Sequence, residues 1–339
     1  MNTRLCFVDI AKGLAIIAII AGHLHFNGLD GSKPISTAVF LFHVPIFFIL
    51  SGYFLSNKTP FALFLKDKAK RLLIPYALTC VVLGVLLVIM WLFMHRICPP
   101  SQFEGFRDYM IACLYGAGTS SEKLPAGVNY IGAIWFLWAL FFGLLENRLL
   151  IRYNKAAFFI TFGLYIVATI SVKLFFLPLS FQAGMVGGFY IYVGVQMRKH
   201  NLFTKPFSWE LFFALALVSV LSYINKLDVY VVSASMNGPL SLPSSIAVSY
   251  FVIMLARLIE DHAPSAIVRC LSFYGENSIV VLCVHMLFLG TGFRKMLIAL
   301  GVPTSYNILF FLNFTIQLLV IVGAIVLVKR VPYLRKAFY

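Results

Sequence analysis

Long apolar runs alternate with short polar breaks along almost the whole chain. Ten runs can be marked, at 7–26, 35–56, 72–94, 127–145, 156–177, 180–197, 208–225, 239–259, 271–290 and 305–328. Each is near the roughly 20 residues that a helix needs to cross the hydrocarbon of a bilayer. The tight turn at 178–180 leaves open a reading of the fifth and sixth runs as one broken unit. The pattern predicts an all-α polytopic membrane protein with about ten transmembrane helices. No internal repeat is visible, so the inverted symmetry of many transporters finds no support. The first run carries Asp9 and Lys12 and has no small-residue cleavage pattern after it, so it is expected to stay as a span. The runs make a single membrane domain over 1–339, with the largest polar break, 95–126, as a loop within it.

Composition supports this picture. The 339 residues are 61% hydrophobic and 12% charged, with mean hydropathy +0.93. A soluble domain is about half apolar and about a quarter charged, so this chain has too little polar surface for a soluble globule. The net charge of +15 does not point to nucleic acid. The basic residues fall in short loops between apolar runs, not along one groove or arm. With the N-terminus in the cytoplasm, 18 of the 27 Lys and Arg residues lie on the cytoplasmic side. Seven lie outside: Lys33, Arg96, Arg107, Lys123, Lys226, Arg294 and Lys295. Lys12 and Lys173 fall within runs. This bias predicts that both termini are cytoplasmic and that 95–126 is extracytoplasmic. Residues 103–113 of that loop are expected to form a short interfacial helix between Pro99, Pro100 and Gly116. Six cysteines make no staple framework, although Cys98 and Cys113 share this loop.

Candidate chemistry begins in the first run, DIAKGLAIIAIIAGH. A charge at mid-bilayer costs several kcal/mol unless something offsets it. Asp9 lies three residues before Lys12 and can pair with it. Lys12 and His23 are eleven positions apart, about 16 Å and three turns along one helix face. Two readings fit: a buried ion pair with a snorkelling histidine, or a polar line facing a cavity. Further polar groups nearby favour the second. FLFHVPIFFILSGYF brings His43, Pro45, Ser51 and Gly52 into the second run. His43 can serve as a base, an acceptor-binding group or a structural hydrogen-bond partner. FLKDKAKRLLIPY places Lys66, Lys68, Lys70 and Arg71 at the cytoplasmic entrance of the third run. Clustered cations there can hold phosphate or simply anchor topology. Pro75 shapes the helix that follows. Trp135 and Trp138 stand one turn apart in the fourth run. Glu276, Asn277 and Ser278 open the ninth, with Asn277 or Ser278 as its cap, and the mid-membrane His285 beyond them requires a partner. No metal set is present: His23 and His25 face different sides of a helix, and His43 has no cysteine or carboxylate set around it.

These segments, in this order, resemble the integral-membrane acyltransferases of acyltransferase family 3. The likeness is greatest to the group that O-acetylates bacterial surface sugars, including fucose-4-O-acetylase-like proteins. The first run resembles the family's motif of a basic residue, a ten-residue gap and a histidine, with Lys12 where many members carry arginine, and His23. FHVPIFFILSGYF resembles the next hallmark. KAKRLLIPY, ending at Tyr76, resembles the basic motif entering the third span, with Lys68 in place of a common arginine. IWFLWALF and GENSIVVLCVH resemble later ones. The resemblance covers essentially the whole chain. It specifies the family but not the acceptor.

The resemblance implies acetyl-CoA as cytoplasmic donor, a sugar hydroxyl on a surface glycan or lipid-linked precursor as acceptor, and a stand-alone enzyme of the bacterial cytoplasmic (inner) membrane. His23 is the expected general base, with His43 as its rival. Lys12, Lys66, Lys68, Lys70, Arg71 and Tyr76 are the expected CoA side. Lys12 has three open roles: holding a phosphate, positioning the pantetheine arm, or stabilising charge at the thioester oxygen. Asp9 orients Lys12. No metal is expected. Partners are acetyl-CoA, the glycan acceptor and membrane lipids, with no nucleic acid. The competing readings are an acyltransferase for a lipid or peptide, a small-solute transporter, and a structural or sensory membrane protein.

Overall fold

A computed structural model describes residues 5–26, 33–93, 103–303 and 305–339. Helices dominate. In order they are α1 (Cys6–Phe26), α2 (Lys33–Phe40), α3 (Pro45–Tyr53), α4 (Phe61–Phe93), α5 (Phe106–Tyr115), α6 (Trp135–Leu150), α7 (Asn154–Ser171), α8 (Phe181–Lys199) and α9 (Trp209–Ile224). A short hairpin follows, β1 (Val229–Tyr230) and β2 (Ser235–Met236), paired antiparallel with Val229 opposite Met236. Then come α10 (Ser241–His262), α11 (Ser265–Glu276), α12 (Ser278–Gly290), α13 (Phe293–Ala299), α14 (Tyr306–Arg330) and α15 (Pro332–Phe338).

Five segments are long and apolar enough to cross a membrane: Cys6–Leu24, Ile35–Tyr53, Phe61–Phe93, Ser241–His262 and Asn307–Arg330. The α11–α12 pair makes a sixth if read as one broken span, and Ala156–Ser171 and Trp209–Ile224 are shorter apolar helices. Their outward residues are unlike a soluble surface. Val81, Leu92 and Phe93 on α4, Phe159 on α7, Phe213 on α9 and Leu319 on α14 are all well exposed. The buried face, in contrast, holds polar groups such as Ser245, Ser249, Asn313 and Gln317. Polar groups turned inward and apolar groups outward are what a bilayer demands. The chain is a multi-pass membrane protein.

Several run boundaries move. The second run is two helices with a turn at 41–44 between them, because Pro45 sits at the first position of α3 and has no N–H to continue the ladder. The helix of the third run, α4, starts at Phe61, eleven residues before the expected 72, and absorbs the basic segment. The fourth starts at Trp135 instead of 127, after a stretch in which Gly127 and Gly132 adopt left-handed φ of 75° and 83°. The ninth run breaks at Asn277 into α11 and α12. The short helix expected in the large loop at 103–113 is formed as α5, Phe106–Tyr115. Residues 95–102, including Cys98, Pro99 and Pro100, lie outside the described residues, as does Arg4.

Contacts group the chain into two compact units. The first comprises Met1–Lys58, Gly143–Ala168 and Met185–Ser278; the second Thr59–Phe142, Thr169–Gly184 and Ile279–Tyr339. In the first unit α1 lies along α11 and also packs on α10, α2 and α3. The crossing of α1 and α11 is very close: a methyl at Gly13 would overlap the Leu271 carbonyl, and one at Gly275 would overlap the Asp9 carbonyl. In the second unit α5 packs on α4, and α15 folds back against both α4 and α14.

Candidate functional site

The first unit holds Asp9, Lys12, His23 and His43. The glycine crossing presses the first turns of α1 against α11 and so fixes where Asp9 and Lys12 stand. Asp9 Oδ1 is 3.8 Å from Lys12 Nζ, with the carboxylate side chain 9% exposed and the lysine 31%. The expected pair is therefore formed, though loosely. Asp9 also stands in the first turn of α1, where the helix dipole favours a carboxylate.

His23 is half-buried near the other end of α1. Its neighbour Gly22 packs on Val39 of α2, where an added Cβ would come within 3.0 Å of Val39 Cγ1. Val39 in turn supplies the carbonyl that accepts a 2.9 Å hydrogen bond from His43 Nδ1. The two imidazoles are thus carried on adjoining segments at one end of this unit. His43 lies in the turn between α2 and α3 and is 5% exposed. Phe40 meets its ring edge-on at 4.6 Å. Because Nδ1 donates to a backbone oxygen, the neutral tautomer leaves Nε2 as the basic nitrogen. Among the described residues Nε2 has no hydrogen-bond partner.

The second unit holds Lys66, Lys68, Lys70, Arg71 and Tyr76, all on α4. Asp67 lies inside this cation cluster. Arg71 Nε donates to Asp67 Oδ1 at 2.7 Å, and Lys68 Nζ stands 3.2 Å from Oδ2. Lys68 also lies over the Phe64 ring at 5.6 Å. Lys66 and Lys70 are exposed and form no ion pair among the described residues. The Tyr76 hydroxyl donates to Cys113 O at 2.7 Å, and its ring meets Trp138 edge-on.

His285 obtains the partner that its depth requires. Its Nδ1 is 2.8 Å from Gln317 Oε1, and Gln317 Nε2 donates to Asn313 Oδ1 at 2.8 Å. All three side chains are buried. Asn277 ends α11 with its amide donating to Phe273 O at 2.6 Å.

Sequence reasoning passed over Asp67, Gln317 and Asn313. It also passed over Arg148 and Arg198, whose guanidinium groups donate to the carbonyls of Asn57 and Leu55 and brace the turn after α3. The spacing of Asn313 and Gln317, four apart in an apolar run, was the one signal available. Among the described residues no three His, Cys, Asp or Glu side chains are grouped to hold a metal.

Comparison with known proteins agrees with the resemblance read from the motifs. The acyltransferase family 3 profile, described as an acyltransferase domain, matches residues 7–329. Among curated proteins, the chain is 24% identical over 188 residues to the nodulation protein NolL of Sinorhizobium fredii, covering 52% of this chain and 45% of that protein. It is 23% identical over 188 residues to the nodulation protein NolL of Mesorhizobium japonicum, covering 53% and 43%. The chain thus spans less than half the length of the curated relatives it matches. No solved structure gives a significant match.

Proposed function

The chain belongs to acyltransferase family 3, and from that premise we propose that it is a membrane O-acetyltransferase. It moves an acetyl group from cytoplasmic acetyl-CoA to a sugar hydroxyl of a bacterial surface glycan or its lipid-linked precursor. It does so as a single domain of about ten spans in the inner membrane, with both termini in the cytoplasm. The observation that carries the reading is the family match over 7–329 on a chain whose α1 bears an imidazole three turns beyond the Asp9–Lys12 pair.

His23 is the general base. Neutral imidazole, with an ordinary pKa near 6.5, suits proton removal near pH 7. It takes the acceptor hydroxyl proton as that oxygen attacks the thioester carbonyl. Collapse of the tetrahedral intermediate breaks the C–S bond, and the imidazolium returns the proton to the departing thiolate. The products are an O-acetyl sugar and free CoA. Lys66, Lys68, Lys70 and Arg71 attract the CoA phosphates, Tyr76 borders that side, and Lys12 serves the donor with Asp9 orienting it. No metal takes part.

The test is transfer of labelled acetyl from acetyl-CoA to glycan by the purified chain, read by mass spectrometry. His23→Gln keeps polarity and approximate size and should retain CoA binding while losing transfer by about 10²-fold or more. A second reading, with His43 as base, is favoured by the Nδ1 bond to Val39 O that leaves Nε2 basic. Near-normal turnover in His23→Gln together with an inactive His43→Gln would select it. CoA release with no acetylated glycan would point to a lipid or peptide acceptor. Solute uptake with no CoA release would point to a transporter.

A further inference from the structure

The loop between α9 and α10, in the same unit as His23 and His43, contains two buried polar atoms without partners. Asp228 is 5% exposed. Its Oδ2 receives the Tyr230 hydroxyl at 3.4 Å and the Asn237 amide at 3.5 Å, both at the far limit of hydrogen bonding. Its Oδ1 is buried and has no hydrogen-bond partner. Ser241, at the start of α10, is fully buried, and its Oγ likewise has none. The loop is otherwise well tied: Asn237 N donates to Asp228 O at 3.1 Å, and Ser241 N donates to Gly238 O at 3.2 Å. A buried polar atom left unpaired costs about 1–3 kcal/mol, so each such atom calls for an explanation.

Two explanations fail. No ion pair reaches Asp228 among the described residues; the nearby Lys226 is exposed. Nor is there a ligand set for a metal there. What the loop lacks is a donor for Oδ1 and a partner for a serine hydroxyl that can donate or accept. Tyr230 and Asn237 reach Oδ2 only by long bonds, and the Asn237 amide also donates to Lys226 O at 3.3 Å. An apolar wall stands beside them: the Tyr230 ring lies 5.5 Å from that of Phe40 at a 30° tilt, and Phe40 meets the His43 ring edge-on.

We infer that this loop is the acceptor subsite, which takes one neutral sugar ring with Asp228 and Ser241 bonding its hydroxyls and Tyr230 packing on its C–H face. The inference rests on the O-acetyl-transfer reading for the word acceptor. Neighbouring hydroxyls of a sugar supply the missing donors while accepting from the Asn237 amide. A sugar acid is disfavoured, since its carboxylate would be set against that of Asp228. Burial holds the Asp228 carboxyl above the usual carboxylate range, with Tyr230 and Lys226 opposing the shift, and a hydroxyl donor to Oδ1 would further oppose it. The chain of ring contacts from Tyr230 through Phe40 to His43 puts the bound ring at the imidazole end of the unit. A site built to bond a hydroxyl strongly rejects an analogue that lacks it, so the loop is also where acceptor choice is made.

The test uses the full chain in lipid nanodiscs and saturation-transfer NMR with methyl fucoside, methyl galactoside and methyl galacturonide. At least one neutral glycoside should bind, and the galacturonide should not. Asp228→Asn should weaken neutral glycoside binding about 10-fold or more while CoA affinity stays unchanged. Should Asp228→Asn fail to fold, Asp228→Glu and Ser241→Ala carry the same expectation with smaller losses. Wild-type affinity in these folded variants, or no glycoside binding by the native chain, overturns the inference. Glycoside binding that depends on Asp228 without any acetyl transfer keeps the sugar site and removes the transferase reading.

Discussion

His43 and His285 are both buried imidazoles whose Nδ1 meets an oxygen at hydrogen-bond distance, yet they are held in different ways. His43 bonds to Val39 O, a backbone atom four residues back on its own segment. That bond forms whenever the local helical turn forms. His285 bonds to Gln317, 32 residues away on α14, and Gln317 is itself braced by Asn313. That arrangement exists only once α12 and α14 have packed. A ring oriented by its own backbone is robust to side-chain changes elsewhere and has its second nitrogen available. A ring oriented by a side-chain relay is sensitive to every member of the relay. The first arrangement ties a ring to one local turn, and the second ties it to the packing of two helices.

The largest effect that could break this contrast is on turnover. His23→Gln should cost about 10²-fold or more in acetyl transfer and His43→Gln far less; the reverse order would move the base to His43. Gln317→Leu should reduce unfolding stability by about 1–3 kcal/mol, because it removes a buried hydrogen-bond partner of His285 and of Asn313. Calorimetry or thermal scanning in detergent would read this. The double variant His285→Leu with Gln317→Leu should lose less than the sum of the singles, and strict additivity would mean the relay carries no coupling. Val39→Ala keeps the carbonyl and should leave transfer within about two-fold of wild type; a larger loss would show that the backbone bond is not what orients His43. The smallest effect is expected at Asp67→Asn. It frees Lys68 and Arg71 from an exposed pair worth at most about 1 kcal/mol and should slightly tighten CoA binding, measured by isothermal titration. Unchanged affinity would reduce the cluster to a topology anchor.

What the sequence disclosed follows the range of the interactions. Periodicity and run length located α1, α8, α9, α10 and α14 to within a few residues. The Asp9–Lys12 pair was readable because it lies within one helical turn. The need of His285 for a partner was readable from depth alone. Which residue met that need was not, because Gln317 reaches it only through tertiary packing. The crossing of Gly13 and Gly275 was equally hidden, since a glycine in an apolar run says nothing about the helix it will face. The early start of α4 was missed because charged residues ended the apolar run at 72, although Lys, Arg and Ala are all good helix formers. Asp67 was visible in FLKDKAKRLLIPY, but its grip on Arg71 needs that same helical register.

The length of α4 has a mechanical consequence. Its 33 residues make a rod of about 50 Å, whereas about 20 residues suffice for the hydrocarbon. The helix exceeds that length by about a dozen residues, some 20 Å, and the Lys66–Arg71 segment lies in its first third. The cations are therefore mounted on regular helix, just before the interior Pro75. A flexible loop would have to be frozen each time an anion arrived, at a cost of about 1–2 kcal/mol per residue. On a helix that backbone ordering is completed once, when the helix forms, whether or not an anion binds there.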